Sequence, residues 1–324
     1  MRNESPHSTL SVIIPNWNGA QHLPTCLASL RQQTYRHLEV IVADNASSDG
    51  SRELLARDYA EVKVLALERN RGFTGACNAG IRAAQGKFVA LLNNDTELDP
   101  GWAEAIVAAF ARHPAAGLVA SKMLLFDRRD TFHTAGDFYR LDGMPGNRGV
   151  WQKDEGQYDR EECVFSACGG SAAYRRAMLD QIGLLDEDFF FSCEDIDLAW
   201  RAQLAGWQCV YTPQAVVYHK LKSTGGGPTA AYYDGRNFIY LIAKNYPASL
   251  WRKHRGAILR RQWRLARAAL RAWRGVEARA RLRGMLAGVI GLPKMMRKRR
   301  AVQSLRRVGD DELLRSLTPI DVDG

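Results

Sequence analysis

The feature that most constrains the fold is a regular alternation of apolar and helical segments over residues 10–112. The predicted strands are residues 10–14, 38–43, 62–67 and 88–92. The predicted helices are residues 23–33, 51–57, 75–84 and 100–112. Strands that alternate with helices form a doubly wound, largely parallel sheet. We therefore predict an α/β fold that binds its ligand at the carboxyl ends of the strands.

Polar clusters follow the first two predicted strands. Asp44 and Asn45 end the second strand, where an Asp carboxylate can accept hydrogen bonds from a nucleoside. The first strand ends in a similar cluster of Pro15, Asn16, Trp17 and Asn18. The Trp17 ring can lie against a base. Turns also favour Asp and Asn, so each cluster alone fits a plain turn equally well.

Another polar segment lies near the predicted helix at 75–84. Arg71 supplies a cation, Gly72 leaves space beside it, and Asn78 follows within the helix. Backbone N–H groups and the dipole at a helix start favour anions, so this segment can cradle a diphosphate. Its spacing matches neither the P-loop nor the dinucleotide fingerprint. A polar loop without a ligand fits the same residues.

The apolar run at 88–92 leads directly into Asn93, Asn94 and Asp95. Mg²⁺ and Mn²⁺ take oxygen ligands and bridge phosphate oxygens, which makes Asp95 the best metal candidate. Asn93 and the nucleotide can add oxygens. His219, at the end of a short predicted strand, is a further candidate ligand, although a single histidine is more often structural.

Three acids follow a run of phenylalanines and precede a predicted helix at 195–205. Glu194, Asp195 and Asp197 can simply complement the helix dipole. One of them can instead face the cleft as a general base. Arg201 lies four residues after Asp197 and is expected to pair with it. Glu194 or Asp195 is then left for catalysis.

The middle of the chain is less regular. Residues 119–126, 209–211 and 216–218 are predicted strands, and residues 172–182 form a predicted helix. The Gly-rich segment 127–157 is predicted to be an irregular flap, and the glycines at 225–227 mark a hinge. We divide the chain into a nucleotide-binding half at 1–100, a catalytic half at 101–225 and a helical extension at 226–324.

The extension carries most of the positive charge. Residues 251–308 contain 19 Lys or Arg and one acid, a net charge of +18; because the whole chain carries +10, the rest carries −8. An apolar stripe recurs at helical spacing, at Leu259, Trp263, Ala266, Leu270 and Trp273. A basic amphipathic helix with Trp favours an anionic membrane surface. Packing on the body and, less favoured, nucleic-acid binding are the alternatives.

Other sequence features narrow the class of protein. The six cysteines form no CxxC pair, and the histidines lack zinc-finger spacing, so we expect reduced thiols and no structural zinc. The N-terminus is polar and resembles no signal peptide. No apolar run approaches the roughly 20 residues that span a bilayer. These features predict a cytoplasmic protein.

Five motifs occur in order along the chain. They are SVIIPNWNG at 11–19, VADNASSDGS at 42–51, NRGF at 70–73, LNND at 92–95 and EDID at 194–197. Together they resemble the family 2 glycosyltransferases, especially bacterial rhamnosyltransferase-like members, over about residues 9–250. The resemblance implies a GT-A fold, a Rossmann-like α/β domain, and an inverting hexosyltransferase that requires Mg²⁺ or Mn²⁺. It also implies a dTDP- or UDP-sugar donor.

The resemblance also implies roles for individual residues. Pro15, Asn16 and Asp44 would contact the nucleoside. Asn94 and Asp95 match the family's DxD-type positions, Asp195 matches its catalytic base, and His219 resembles a histidine that completes the metal site in some members. This chain has Asn93 where the first DxD acid would stand, so metal binding would depend more on the diphosphate and His219.

The family setting and the basic segment together predict a polyprenyl-linked glycan acceptor. The enzyme would then act at the inner face of the bacterial membrane, held there by residues 251–308, with no nucleic acid involved. Two other classes of protein are the alternatives to a glycosyltransferase. A nucleotidyltransferase would carry a Gly-rich basic loop after the first strand, which this chain lacks. A non-catalytic binding protein would have no need of both Asp95 and Asp195.

Overall fold

The computed structural model describes residues 9–221 and 226–320; the N-terminal residues 1–8 and Gly225 of the predicted hinge lie outside them. The strands are β1 (Leu10–Asn16), β2 (Leu38–Asp44), β3 (Lys63–Ala66), β4 (Phe88–Leu92), β5 (Thr96–Leu98), β6 (Ala116–Leu125), β7 (Phe132–Thr134), β8 (Asp137–Tyr139), β9 (Pro145–Asn147), β10 (Glu162–Val164), β11 (Ser171–Arg175) and β12 (Gln208–His219). The helices are α1 (Leu23–Arg31), α2 (Ser51–Asp58), α3 (Gly72–Ala83), α4 (Trp102–Arg112), α5 (Arg176–Ile182), α6 (Glu194–Leu204), α7 (Gly227–Asn245), α8 (Ala248–Arg271), α9 (Val276–Ile290), α10 (Leu292–Ser304) and α11 (Asp310–Ser316).

One large central sheet organises the molecule. Its strands lie in the order β10-β12-β6-β11-β4-β1-β2-β3, with β5 beside β12 and β7 beside β6. Strands β3, β2, β1 and β4 are parallel neighbours, and β12 is parallel to β6. Strand β11 runs antiparallel between β4 and β6. The predicted α/β fold with a mostly parallel central sheet is therefore confirmed.

Alternate residues of the central strands enter two separate hydrophobic layers. In β4, Phe88, Ala90 and Leu92 face the layer that contains α1 and α4, whereas Val89 and Leu91 face the layer that contains α3, α5 and α6. Because both faces are covered, all five residues are apolar and buried. The following polar residues are thereby placed at the carboxyl edge of the sheet.

The predicted helix at 172–182 is wrong in its first half. Residues 171–175 form β11, and only Arg176–Ile182 is helical. All five residues of β11 are buried between β4 and β6. The alanines and the continuing apolar pattern are compatible with either structure, and the open sheet position between two strands decides for the strand.

Two other segments are more regular than the prediction. The segment at 127–157, predicted to be an irregular flap, contributes β7, β8 and β9, and Phe132 and Tyr139 are buried in the core. The two short strands predicted at 209–211 and 216–218 are parts of the single strand β12. A break in its register between Thr212 and Val216 explains why the sequence pattern is interrupted there.

The C-terminal helices pack on the sheet domain. Tyr240, Leu241 and Leu250 belong to the same hydrophobic cluster as β6 and α6, as do Met295 of α10 and Leu313 of α11. The three-part division of the chain stays a prediction. Its nucleotide-binding and catalytic halves contribute strands to one sheet, and its helical extension packs into the same core. In the described parts of the chain, no helix is both long and apolar enough to cross a membrane.

Candidate active site

A chain of hydrogen bonds links the carboxyl ends of three adjacent strands. The Asn94 amide donates to Asn16 Oδ1 over 2.7 Å, and the Asn16 amide donates to Asp44 Oδ1 over 3.1 Å. Arg52 Nε then donates to Asp44 Oδ2 over 2.6 Å. All but Arg52 are buried. The parallel pairing of β4, β1 and β2 brings together residues that are 78 positions apart in the sequence.

Asp44 is held in its ionised form. Burial opposes the charge, but hydrogen bonds from Ser47, Arg52 and Asn16 outweigh it and lower the pKa of the Asp44 carboxyl. Arg52 was not singled out from the sequence, and its position one residue into α2 gave no signal. The carboxylate and the half-exposed guanidinium of Arg52 together make this corner polar.

The other residues of the first cluster surround this corner. Pro15 pairs with Ala43 in the sheet, and the Trp17 ring is half exposed just beyond the strand. Asn18 adopts a left-handed backbone conformation with φ 50° and accepts a hydrogen bond from the Ser48 backbone. The predicted nucleoside-binding residues are therefore brought together, with Trp17 available as a flat surface.

Asn45 holds the basic loop in place. Its amide oxygen accepts from Arg71 N over 2.8 Å, and its nitrogen donates to the Gly72 carbonyl over 3.0 Å. Arg71 Nη2 lies 2.9 Å from Glu187 Oε2, in a pair that remains more than one-third exposed. The loop is thus fixed with its cation at the surface, next to the start of α3.

Asn78 contacts the segment that precedes α6. Its amide nitrogen donates to the Leu185 carbonyl and to Glu187, and its oxygen accepts from the Leu185 backbone. The side chain is buried and fully hydrogen-bonded. It therefore ties α3 to the segment before α6, a contact 107 residues away in sequence that no local pattern reveals.

Asp95 and His219 converge at the edge of the sheet. His219 Nε2 lies 3.1 Å from Asp95 Oδ1 and 3.4 Å from Asn93 Nδ2. Antiparallel pairing of β5 with β12 places Thr96, the residue after Asp95, opposite His219. A buried carboxylate, an imidazole and an amide that can turn its oxygen inward form a suitable donor set for Mn²⁺ or Mg²⁺.

A second imidazole lies behind His219. The Nδ1 atoms of His133 and His219 are 3.2 Å apart, and the ring centroids are 5.0 Å apart. Burial and then the neighbouring His219 ring lower the pKa of His133 to about 3, so its ring is neutral. His133 lies in the segment predicted to be irregular, and nothing in the local sequence indicates this contact.

Glu194 and Asp195 start α6 but have different surroundings. Asp195 accepts backbone hydrogen bonds from Gly169 over 2.8 Å and from Ile196 over 2.7 Å. Glu194 Oε2 is buried and has no hydrogen-bond partner among residues 9–221 and 226–320. Burial, followed by repulsion from Asp195, raises the pKa of Glu194 to about 8. Burial also raises the pKa of Asp195, although its backbone hydrogen bonds oppose this shift. Asp195 is therefore the better-stabilised carboxylate.

Asp197 has a structural role, as the sequence predicted. It pairs with Arg201 Nε over 3.1 Å. It also contacts Lys244 Nζ and the Asn245 amide of α7, both over 2.8 Å. This fully buried carboxylate joins α6 to α7 and leaves its neighbours to face the cleft.

Two further side chains, those of Asp137 and Cys168, lie beside Asp195. Ligand atoms of Asp137, Cys168 and Asp195 all lie within 4.8 Å of one another. Burial and then the charge of Asp195 raise the pKa of Asp137 well above its ordinary value, and burial raises that of the Cys168 thiol. Thr134 and Asn147 donate to Asp137. Neither Asp137 nor Cys168 was identified as a site residue from the sequence.

Two consecutive glycines, Gly169 and Gly170, lie between Asp195 and the candidate metal ligands. A Cβ atom on Gly169 would lie 3.4 Å from Asp195 Oδ2, and one on Gly170 would lie 3.5 Å from the His219 ring and 3.4 Å from the Asn93 amide. The Gly170 carbonyl also accepts a hydrogen bond from Asn93 N. The acid cluster and the metal candidates therefore lie on either side of one Gly–Gly segment, where a side chain at 169 or 170 would crowd Asp195, Asn93 and His219.

Comparison with known proteins identifies the family. The family model described as glycosyl transferase family 2 matches residues 11–183, more than half of the chain. The chain belongs to glycosyltransferase family 2. Its sequence is similar to an N-acetylglucosaminyl-diphospho-decaprenol L-rhamnosyltransferase from Mycobacterium tuberculosis, with 28% identity over 81% of this chain and 94% of that protein.

Solved structures establish that this glycosyltransferase has a GT-A fold. The chain resembles GalNAc-T7, solved with UDP, GalNAc and Mn²⁺, with a TM-score of 0.59, 17% identity and coverage of 73% of this chain and 48% of that one. It also resembles residues 1–349 of S. aureus TarS, with a TM-score of 0.58, 18% identity and coverage of 91% and 90%. The predicted family and fold are confirmed.

Proposed function

We propose that this glycosyltransferase moves a hexose from a nucleoside diphosphate donor to an acceptor hydroxyl with inversion at the anomeric carbon. The observation that supports the proposal is the pair Gly169–Gly170, because Gly169 lies beside Asp195 and Gly170 lies beside His219 and Asn93. One carboxylate base beside a diphosphate site is what a single displacement needs, because the leaving diphosphate requires no proton.

In this mechanism Asp195 accepts the proton of the acceptor hydroxyl. The acceptor oxygen attacks the anomeric carbon, and the bond from that carbon to the diphosphate oxygen breaks, so the electron pair leaves with the nucleoside diphosphate. Arg71, at the start of α3, stabilises the leaving charge. Glu194, whose raised pKa keeps it mostly protonated near neutral pH, contributes no second base.

The divalent cation, Mg²⁺ or Mn²⁺, is assigned to Asp95 and His219, with Asn93 as an additional oxygen donor. When bound, it neutralises charge on the diphosphate. The geometry of these buried donors supports the assignment, as does the Mn²⁺ in GalNAc-T7. Asp44, Asn16, Asn94 and the Trp17 ring would bind the nucleoside at the adjacent strand ends.

The donor sugar is proposed to be rhamnose, carried by dTDP or UDP. Support comes from the mycobacterial relative, whose name specifies L-rhamnosyl transfer to a decaprenol-linked diphosphate sugar. The same name supports a polyprenyl-linked acceptor, and we place the reaction at the inner face of the cell membrane as part of the proposal. A lipid-linked acceptor requires the enzyme to work at a membrane surface, which α8 and α9 suit.

Helices α8 and α9 expose apolar side chains among many arginines. Leu259, Trp263, Leu270 and Trp273 are each more than half exposed. The buried contacts of α8 are made instead by Leu250, Ile258 and Ala269, so the predicted stripe does not pack on the enzyme body. Exposed Trp and Leu among cationic side chains fit an anionic lipid surface. Arginines attract the anionic headgroups, and the apolar side chains insert into the membrane.

The experiment that tests the function is donor hydrolysis and binding across a panel. The panel contains dTDP-rhamnose, UDP-glucose, UDP-galactose, UDP-N-acetylglucosamine and GDP-mannose, each with Mn²⁺, with Mg²⁺ and with chelator. Cation-dependent release of nucleoside diphosphate from one donor is the expected result, and release of pyrophosphate would indicate nucleotidyl transfer instead. A folded protein that binds none of the donors would contradict the proposal.

A further inference from the structure

We infer that His133 is a positioning residue that controls which ring nitrogen of His219 carries the proton, and thereby whether His219 can bind a cation. The inference rests on the cation site of the proposed function. Its geometric basis is a line of three side chains: Asp95 Oδ1 lies 3.1 Å from His219 Nε2, and His219 Nδ1 lies 3.2 Å from His133 Nδ1.

Without a cation, the proton positions in this line follow from the chemistry of each group. In the form of the pair that has one proton on each ring, the His219 proton lies on Nε2 when this nitrogen donates to Asp95, because a carboxylate oxygen accepts. His219 Nδ1 then has a lone pair, and the 3.2 Å contact between the two Nδ1 atoms is made with His133 as the donor.

With a cation on His219 Nε2, that nitrogen must supply a lone pair instead. The single proton of the neutral ring then lies on Nδ1, and His133 Nδ1 must accept it. His133 in turn carries its own proton on Nε2. Each ring keeps one proton, so the exchange leaves the net charge of the pair unchanged. A neutral imidazole serves both states because each of its nitrogens can be donor or acceptor.

Because residue 133 must be able both to donate and to accept a hydrogen bond, possible replacements of His133 should differ in their effect. A glutamine amide can donate through nitrogen or accept through oxygen after turning, so it can replace both functions. A phenylalanine ring fills the space, excludes water and offers neither function. Partners of this kind, one shell behind a metal ligand, typically contribute 10–100-fold to metal affinity.

The first test measures Mn²⁺ affinity of the full chain by titration, with His133→Phe, His133→Gln and His219→Ala beside the wild type. We expect His133→Phe to weaken Mn²⁺ binding by about 10–100-fold, while His133→Gln stays near the wild-type value. Circular dichroism checks that each variant is folded. A His133→Phe protein that binds Mn²⁺ like wild type would overturn the inference.

The second test reads the tautomer directly by ¹⁵N NMR of the histidines, with diamagnetic Cd²⁺ as the cation. In the cation-free wild type, His219 should carry its proton on Nε2; with Cd²⁺ it should carry it on Nδ1. A cation-free His219 that is protonated on Nδ1 would contradict the inference without any variant. If instead His219→Ala binds Mn²⁺ as tightly as wild type, the cation site of the proposed function is wrong. The tautomer of cation-free His219 then still tests separately whether His133 sets the proton position on His219.

Discussion

At the scale of single residues, the two acids that begin α6 differ in what stabilises their charge. Backbone N–H groups of Gly169 and Ile196 point at Asp195, whereas Glu194 Oε2 has no partner among the described residues. Hydrogen bonds to a carboxylate favour its ionised form. The two side chains are adjacent in sequence, yet these hydrogen bonds favour the ionised form of Asp195, as the proposed base needs.

Replacing Asp195 with Asn should reduce turnover by roughly a hundredfold or more, since it removes the general base. Donor binding should be retained because Asp44, Arg71 and the cation ligands remain. The matched control is Glu194→Gln, which keeps size and should lose much less activity. Steady-state turnover and donor titration with the donor identified by the panel measure both effects. An active Asp195→Asn protein would contradict the assignment.

The pH profile offers an independent check on the same carboxylate. Burial raises the pKa of Asp195 above the ordinary value, which is about 3.9. A base works only when unprotonated, so kcat/KM should be full above this raised pKa and fall as the pH drops through it. The acid limb should therefore lie at a higher pH than an ordinary Asp would give. A profile that stays flat down to about pH 4, in folded protein, would argue against this base.

At the scale of elements, a buried ion network joins α6, α7 and the segment before α6. Lys244 Nζ lies 2.6 Å from Asp186 Oδ2 and 2.8 Å from Asp197, and all three side chains are almost fully buried. Burial opposes the charge of Asp186, but Lys244 and Lys298 outweigh it and lower its pKa. The stability that ionised Asp186 contributes is therefore present above the ordinary pKa of Asp. It is lost only as the pH falls through the lowered pKa of Asp186.

Lys244→Met should destabilise the protein by about 3 kcal/mol, because it removes the cation that the buried carboxylates of Asp186 and Asp197 share and leaves them only Lys298 and Arg201. Arg57→Ala is the control, since Arg57 and Asp58 form an exposed pair that water and salt screen, so its loss should change the stability little. Urea unfolding monitored by circular dichroism measures both. Equal midpoints for the two variants would show that the network contributes little.

At the scale of the whole molecule, charge and apolar exposure are concentrated in the C-terminal helices. Residues 251–308 carry +18, and the largest exposed apolar side chains there extend over three helices: Leu259, Trp263, Leu270, Trp273, Val276, Leu286, Val289, Ile290 and Met296. The same helices bury Ile258, Met295 and Val302 against the enzyme. Surface binding would therefore hold the whole catalytic body, rather than a loose tail, at the lipid.

The double substitution Trp263→Ala with Trp273→Ala should weaken binding to phosphatidylglycerol vesicles by roughly tenfold or more, from the apolar area that no longer inserts. Trp151→Ala is the matched control, because Trp151 is 61% exposed but lies outside these helices. Vesicle sedimentation gives the affinities. Binding should also weaken as salt rises. Unchanged binding by the double variant, or equal binding to phosphatidylcholine, would exclude this surface as the anchor.

Most of the parallel strands and their helices could be predicted because each satisfies a local rule. β4 is predicted to the residue, since five apolar residues are followed directly by polar ones. β11 could not be, because its Ala-rich sequence suits a helix and only its place between β4 and β6 makes it a strand. The contacts of Asn78 could not be predicted for a related reason: its partners, Leu185 and Glu187, are more than a hundred residues away.

The sequence alone established the α/β class, and it predicts a site at the carboxyl edge of the sheet with Asp44, Asp95 and Asp195 as its acids. These follow from hydrophobic periodicity and from the place of each acid in the chain, which are local properties. The tertiary structure was needed to show that Asp195 rather than Glu194 accepts the Gly169 hydrogen bond, that the Trp263 stripe is exposed, and that His133 contacts His219. Each depends on which distant groups meet in space, because hydrogen bonding and burial are set by neighbours that the local sequence does not specify.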